Sequence, residues 1–219
     1  IQCQSLIIYI PRSLRPIKSL PNCYKNAILE ADIVFNIIDD IIEESPFRKG
    51  VVSLASTNGG RKIFHMVSVN ESMFLGNGAL ALSEEEFTEM SELTQKLAIV
   101  LTMATKVRIN SAIYEDTDLE IELNGFGNPA IVSIGTLTRG SWGNLPSGEV
   151  FILPGNAKDG GKILIDGAIS YMRALVEPVL LTVFNNRICV VEKSKKNEVK
   201  NQLEFRKLLK KIHNNARQE

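Results

Sequence analysis

Residues 83–112 read SEEEFTEMSELTQKLAIVLTMATKVRINSA. The fold turns on the change of period inside this stretch. Ser83 with Glu86 three residues later is a capping box, the start signal of a helix. Phe87, Met90, Leu93, Leu97, Val100, Leu101 and Ala104 then recur at helical spacing, and this Met-containing stripe is expected to be core packing rather than a cofactor box. At Lys106 the pattern becomes an alternation, with Val107 and Ile109 on one face, as in a half-buried strand.

Upstream of the helix, residues 5–10 (SLIIYI) and 31–38 (ADIVFNII) are apolar runs expected to form buried parallel strands, and 61–67 (RKIFHMV) a third. The segment 22–31 is short and amphipathic, with Asn22 as its expected cap. Strands alternating with helices predict an α/β unit with a parallel sheet over 1–106. Downstream, strands are expected over 106–112, 116–123, 150–153 and 162–166. A hairpin follows, its strands 179–184 and 187–192 joined by Asn185-Asn186. Residues 195–217 form a basic amphipathic pattern with Val199, Leu203, Leu208, Leu209 and Ile212 as the apolar set. Its cationic side is read as a solvated face ahead of a nucleic-acid patch. The expected architecture is therefore α/β: a parallel unit over 1–106, then a mostly β unit over 107–219 ending in a helix.

Composition narrows the function classes. Lys plus Arg equals Asp plus Glu, 25 against 25, so no global charge draws the chain to nucleic acid or to an anionic membrane. No apolar run reaches the roughly 18 residues of a membrane span. Cys3, Cys23 and Cys189 are odd in number and widely spaced, which fits reduced thiols in a cytoplasmic protein. His65 and His213 are the only histidines, few for a zinc or iron site that recruits two or three of them with a carboxylate.

Several residues invite chemistry, each with a plainer reading beside it. Arg12 and Arg15 lie between Pro11 and Pro16 and suit either an anion or a solvated loop. Asp39 and Asp40 end the second strand, where α/β sheets often hold ligands and where carboxylates also cap helices. His65 lies inside a strand and reads as a half-buried packing residue. Asp118 suits a substrate amine, and solvent-facing alternation with Glu120 and Glu122 explains it as well.

The most specific stretch is 141–154, SWGNLPSGEVFILP, which opens on the only Trp of the chain. Pro146, Ser147 and Gly148 make a turn, and Glu149 stands where turn becomes strand, a place that holds a carboxylate on a fixed backbone. NLPSGEVFILP resembles the signature of the aminopeptidase T family of metallopeptidases, whose relatives include dihydroxypyridine ring-cleaving dioxygenases. Weaker similarities follow in the family's order: Pro11-Arg12-Ser13, Glu30-Ala31-Asp32, Asp116-Thr117-Asp118-Leu119 against a Gly-Thr-Asp-Leu strand, and Ile165-Asp166-Gly167.

The resemblance implies that Glu149 is a metal ligand, for zinc, cobalt or iron, in an enzyme removing N-terminal amino acids from peptides. It implies a Rossmann-like N-terminal unit whose first strand and helix would precede Ile1. A second Glu and further His and Asp ligands would lie beyond residue 219. A peptide or small molecule is the implied partner, without nucleic acid or membrane, and a homodimer is left open. The shortage of histidines keeps a third reading alive beside peptidase and dioxygenase: a non-catalytic domain that has lost the site.

Overall fold

The computed structural model describes residues 4–113, 116–123, 125–169, 173–175, 178–190 and, near the C-terminus, 205, 207, 208 and 210. Helices and strands mix as an α/β protein, with a parallel sheet and antiparallel sheets. The helices are α1 (Asn22–Glu30), α2 (Ser45–Ser53) and α3 (Glu84–Met103). The strands are β1 (Ile33–Ile38), β2 (Lys62–Val67), β3 (Lys106–Asn110), β4 (Asp118–Glu122), β5 (Ile131–Ser133), β6 (Trp142–Asn144), β7 (Glu149–Phe151), β8 (Lys162–Ile165), β9 (Ala168–Ile169), β10 (Arg173–Ala174), β11 (Val179–Phe184) and β12 (Arg187–Val190).

The chain divides into two compact units whose stretches interleave along the sequence. One comprises 1–94 with 132–149, the other 95–131 with 150–219. The interleaving arises in the Gly-rich loop before Glu149. Within it Trp142–Asn144 forms β6 and pairs in parallel with β2, Ile63 against Trp142 and His65 against Asn144. A three-residue strand with Gly at its centre is too short to show a period, so the sequence carries no strand signal here.

In the first unit the sheet order is β1-β2-β6, all parallel. One face packs on α1 and α2 through Ile28, Ile38, Phe47, Val51, Leu54, Ala55 and Ile63. Pleating sends alternate residues of β1 to the other face, so Phe35 is 59% exposed and Ile37 62%. The expected burial of this strand therefore holds on one face only. Phe35 stacks on Phe64 there, ring centroids 5.2 Å apart. The expected strand over 5–10 does not form. Residues 4–10 have no assigned secondary structure, and Ile7 is 91% exposed. An apolar run becomes a strand only where a neighbouring edge accepts its backbone hydrogen bonds.

α1 begins at Asn22 with Pro21 in the cap position and no side-chain cap, so Asn22 is the first helical residue rather than the cap. Asp39 and Asp40 bind cations of the same chain: Arg15 reaches Asp39 at 2.5 Å, and Arg48 reaches Asp40 at 2.7 Å. Arg15 also clasps the buried Glu44, which removes it from the solvated-loop reading.

α3 has the expected capping box. Ser83 N–H donates to Glu86 Oε2 at 2.8 Å, and Glu86 N–H donates to Ser83 Oγ at 3.2 Å. Its covered face differs from the expected stripe. Phe87, Met90, Thr94, Ala98 and Leu101 are buried or half-buried, whereas Leu93, Leu97 and Val100 are exposed. Two apolar stripes lie side by side on this helix, and spacing alone does not choose between them.

The second unit is built on an antiparallel sheet ordered β12-β11-β8-β4-β3. β11 is buried over Val179–Val183. Val179, Leu181 and Phe205 form its core, with Ile163, Ile165, Leu175 and Leu208 against them. Phe205 is thus an anchor of the C-terminal segment that the expected apolar set omitted. Leu208 of that set packs here, and Val199, Leu203, Leu209 and Ile212 lie outside the described residues. Asn185 and Asn186 both have positive φ, 50° and 55°, which makes the expected two-residue hairpin turn. Asp118 is exposed and paired with Arg108 at 2.8 Å, so the surface-alternation reading holds for it. No helix among the described residues is long and apolar enough to cross a membrane.

Candidate functional site

Parallel strands point their carboxyl ends the same way, and the loops leaving them form the customary ligand crevice of α/β sheets. In the first unit that end carries a pocket of roughly 370 Å³ lined by His65, Val67, Ala79, Asn144, Leu145, Pro146, Ser147 and Glu149. The volume lies at the small-ligand end of the usual range of about 300–1,000 Å³. β2 supplies His65 and Val67, β6 supplies Asn144, the turn that follows supplies Leu145, Pro146 and Ser147, β7 supplies Glu149, and the loop ahead of α3 supplies Ala79.

The turn is fixed from behind. Gly148 N–H donates to the Ser133 carbonyl at 2.9 Å, and Ser133 Oγ and Ser147 Oγ share a hydrogen bond at 3.2 Å. Gly148 has φ +97°, and a Cβ there would stand 2.8 Å from Met90 Sδ. Gly148→Ala is therefore expected to cost about 1–3 kcal/mol, the usual range for a residue forced into a sparse backbone region. Chemical denaturation would read this as a lower midpoint, and an unchanged midpoint would contradict the turn's rigidity.

Glu149 opens β7 immediately after that glycine and is exposed to the pocket. Its carboxylate has no ion-pair partner among the described residues. The residue singled out by sequence thus stands at a cavity, without an ion pair from the described residues.

His65 is the residue that sequence reading undervalued. It is 8% exposed, which agrees with packing, yet it lines the same pocket. Asn36 Nδ2 lies 2.8 Å from its Nδ1. Burial, with the positive charge of Arg48 behind it, holds its pKa below the ordinary imidazole value, so the ring is neutral near pH 7. The register explains the meeting: Asn36 pairs with His65, and His65 with Asn144, across three adjacent strands. A side-chain period of two puts all three on one face of the sheet. Polar residues at matched positions in three apolar strands were the available sequence signal, but it appears only once β6 is recognised.

Among the described residues no group of three His, Cys, Asp or Glu side chains is placed to hold a metal ion. His65 and Glu149 are the potential donors lining this pocket, and a closed zinc site takes four ligands, a catalytic one three. The donor set present does not by itself fit a divalent metal. The chain matches no family model, no curated protein and no solved structure.

Proposed function

We propose that this chain is part of an aminopeptidase T-like, metal-dependent enzyme that hydrolyses N-terminal amino acids from peptides, with Glu149 one ligand of the metal. The observation that carries the reading is Glu149 itself. The residue that the NLPSGEVFILP resemblance marks is held on a constrained turn, faces a pocket at the carboxyl ends of parallel strands, and lacks an ion-pair partner among the described residues. The remaining ligands would be supplied from outside this set, as the resemblance implies for segments beyond residue 219. Zinc, cobalt and iron are the candidate metals, the cytoplasm is the proposed compartment, and a homodimer is left open.

Two measurements test this. The chain as given is expected to lose zinc or iron on dialysis, because one carboxylate supplies a small part of the 10–16 kcal/mol, roughly, of a complete structural site. Stoichiometric metal after dialysis would contradict an incomplete donor set. In a parent protein carrying the further ligands, Glu149→Gln is expected to abolish turnover of amino-acid amides and to change stability by no more than about 0.5 kcal/mol, as is usual for an exposed turn residue. Wild-type turnover with wild-type metal content would end the claim for Glu149.

Ring cleavage of dihydroxypyridines at non-haem iron is the runner-up within the same resemblance, and parallel assays on both substrates separate the two. A metal-free binding domain is favoured by a different observation: Asn36 occupies one nitrogen of His65, so the sheet supplies a hydrogen-bond donor rather than a second ligand.

A further inference from the structure

His65 Nδ1 is taken by Asn36, whose amide nitrogen can only donate. Nδ1 is then the acceptor, and in the neutral ring the proton sits on Nε2. Nε2 has no partner among the described residues, and it is not one of the sealed polar atoms left without one, which are Arg61 Nε and Thr182 Oγ1. His65 is almost wholly covered yet lines the pocket, so the donor its ring can offer there is the remaining Nε2–H. The strand register pairs Asn144 with His65 on the adjacent strand, about 4.8 Å away, and both line the pocket. Glu149 closes the set with a negative charge. Val67, Ala79, Leu145 and Pro146 form the apolar remainder of the wall.

A ligand matching these walls brings an acceptor oxygen to the imidazole and a positive charge to the carboxylate. We infer that the Asn36–His65 pair is a fixed hydrogen-bond donor for a carbonyl or carboxylate oxygen of a small ammonium-bearing ligand, with His65 Nε2–H as the contacting group and Asn36 as its positioning residue. This deepens the proposed function by naming the residue that would hold the substrate carbonyl, and the ammonium takes the Glu149 carboxylate only in the metal-free chain. Unlike that proposal it requires no metal, so the two can fail separately. The device is stiff because it stands on paired strands rather than on a loop, and the bond from Asn36 holds the ring. A donor aimed at an oxygen is worth most where water is excluded, and His65 is almost fully covered.

The test uses the chain as given, labelled with ¹⁵N, and free of metal. With only two histidines, a His213→Gln variant assigns the His65 ring signals. The ring is expected to show a protonated Nε2 and an unprotonated Nδ1. Leucinamide, which carries both an ammonium and a carbonyl, is the probe, and butylamine, which lacks the carbonyl, is its control. Leucinamide is expected to shift the Nε2–H signal on saturation, and butylamine to leave it in place. His65→Leu should weaken leucinamide at least tenfold while leaving butylamine binding within twofold. His65→Gln, whose amide nitrogen reaches the place of Nε2, should restore most of the loss. Asn36→Leu should weaken leucinamide with the ring retained. A proton on Nδ1, no binding of leucinamide, or binding that leaves the His65 signals unmoved would overturn the inference. Metal loss on dialysis together with the expected leucinamide response would leave it standing whatever becomes of the metal reading.

Discussion

Glu44→Gln is expected to destabilise the first unit by about 3 kcal/mol, at the lower end of the range for breaking a buried ion pair. Glu44 is completely covered. Its carboxylate accepts Arg15 Nε at 2.9 Å and Nη2 at 2.5 Å, and the Ile17 N–H at 3.0 Å. A bidentate guanidinium and a backbone donor satisfy most of what burial strips away. Glutamine keeps the shape and one acceptor oxygen, but it removes the countercharge and presents an amide nitrogen to one guanidinium donor, which leaves Asp39 as the carboxylate paired with Arg15. That remaining contact is why the lower end applies.

The same group sets a pH dependence. The Arg15 hydrogen bonds hold the Glu44 pKa below the ordinary glutamate value, with the Ile17 bond and the charges of Arg15 and Arg48 assisting and burial opposing. A depressed folded pKa stabilises the fold above the unfolded value of about 4.3, and the stabilisation is lost as pH falls below it. Acid unfolding of the wild type should therefore steepen below about pH 4, and Glu44→Gln should flatten that slope. Replacing both partners, Arg15→Met with Glu44→Met, should cost less than Glu44→Gln alone, because no buried charge is left uncompensated. Denaturant titrations at pH 7 and pH 3.5 measure all three. A Glu44→Gln protein with wild-type midpoint at both would refute the account.

Arg61→Met is expected to cost a similar amount, about 3 kcal/mol, as two hydrogen bonds from a charged donor at about 1.5 kcal/mol or more apiece. Arg61 is 1% exposed. Its guanidinium donates to the Leu54 carbonyl, just past the end of α2, and to the Leu29 carbonyl in the last turn of α1 at 3.2 Å. The last carbonyls of a helix have no partner within it, and the helix dipole puts partial negative charge there. One side chain thus closes two helix ends, and the fork of the guanidinium makes that possible. Arg61→Lys should recover only part of the loss, since a single ammonium does not span both carbonyls in the same geometry. Urea midpoints of Arg61→Met and Arg61→Lys provide the check. A loss under about 0.5 kcal/mol for Arg61→Met, the scale of an ordinary surface change, would refute the clamp.

These two groups show what local reading misses. Arg15 and Glu44 are 29 residues apart, and Arg61 lies 32 residues from Leu29. In the sequence each looks like a loop or strand-end charge, and nothing local marks any of them as buried. The candidate site divides in the same manner. Glu149 was legible because a Pro-Ser-Gly turn followed by an apolar strand is a local pattern, and the long motif around it resembles a known family signature. His65 was legible only as an apolar-strand residue, because its partners Asn36 and Asn144 come from strands separated from it by 29 and 79 positions.

By itself the sequence determined the elements whose signals are short-range: the Ser83–Glu86 cap of α3, β1 and β2, the Asn185-Asn186 turn, the alternation of β3 and β4, and the turn that carries Glu149. Each depends on backbone and side-chain preferences acting over a few residues. Tertiary structure alone decided which apolar surfaces are covered. It left residues 5–9 and one face of β1 exposed, chose the Phe87–Thr94–Ala98 stripe of α3 over Leu93–Leu97–Val100, and brought Trp142–Asn144 back beside β2. Covering an apolar face requires a partner surface, and satisfying a strand edge requires another edge. Both come from distant parts of the chain, so no window of neighbouring residues contains the information.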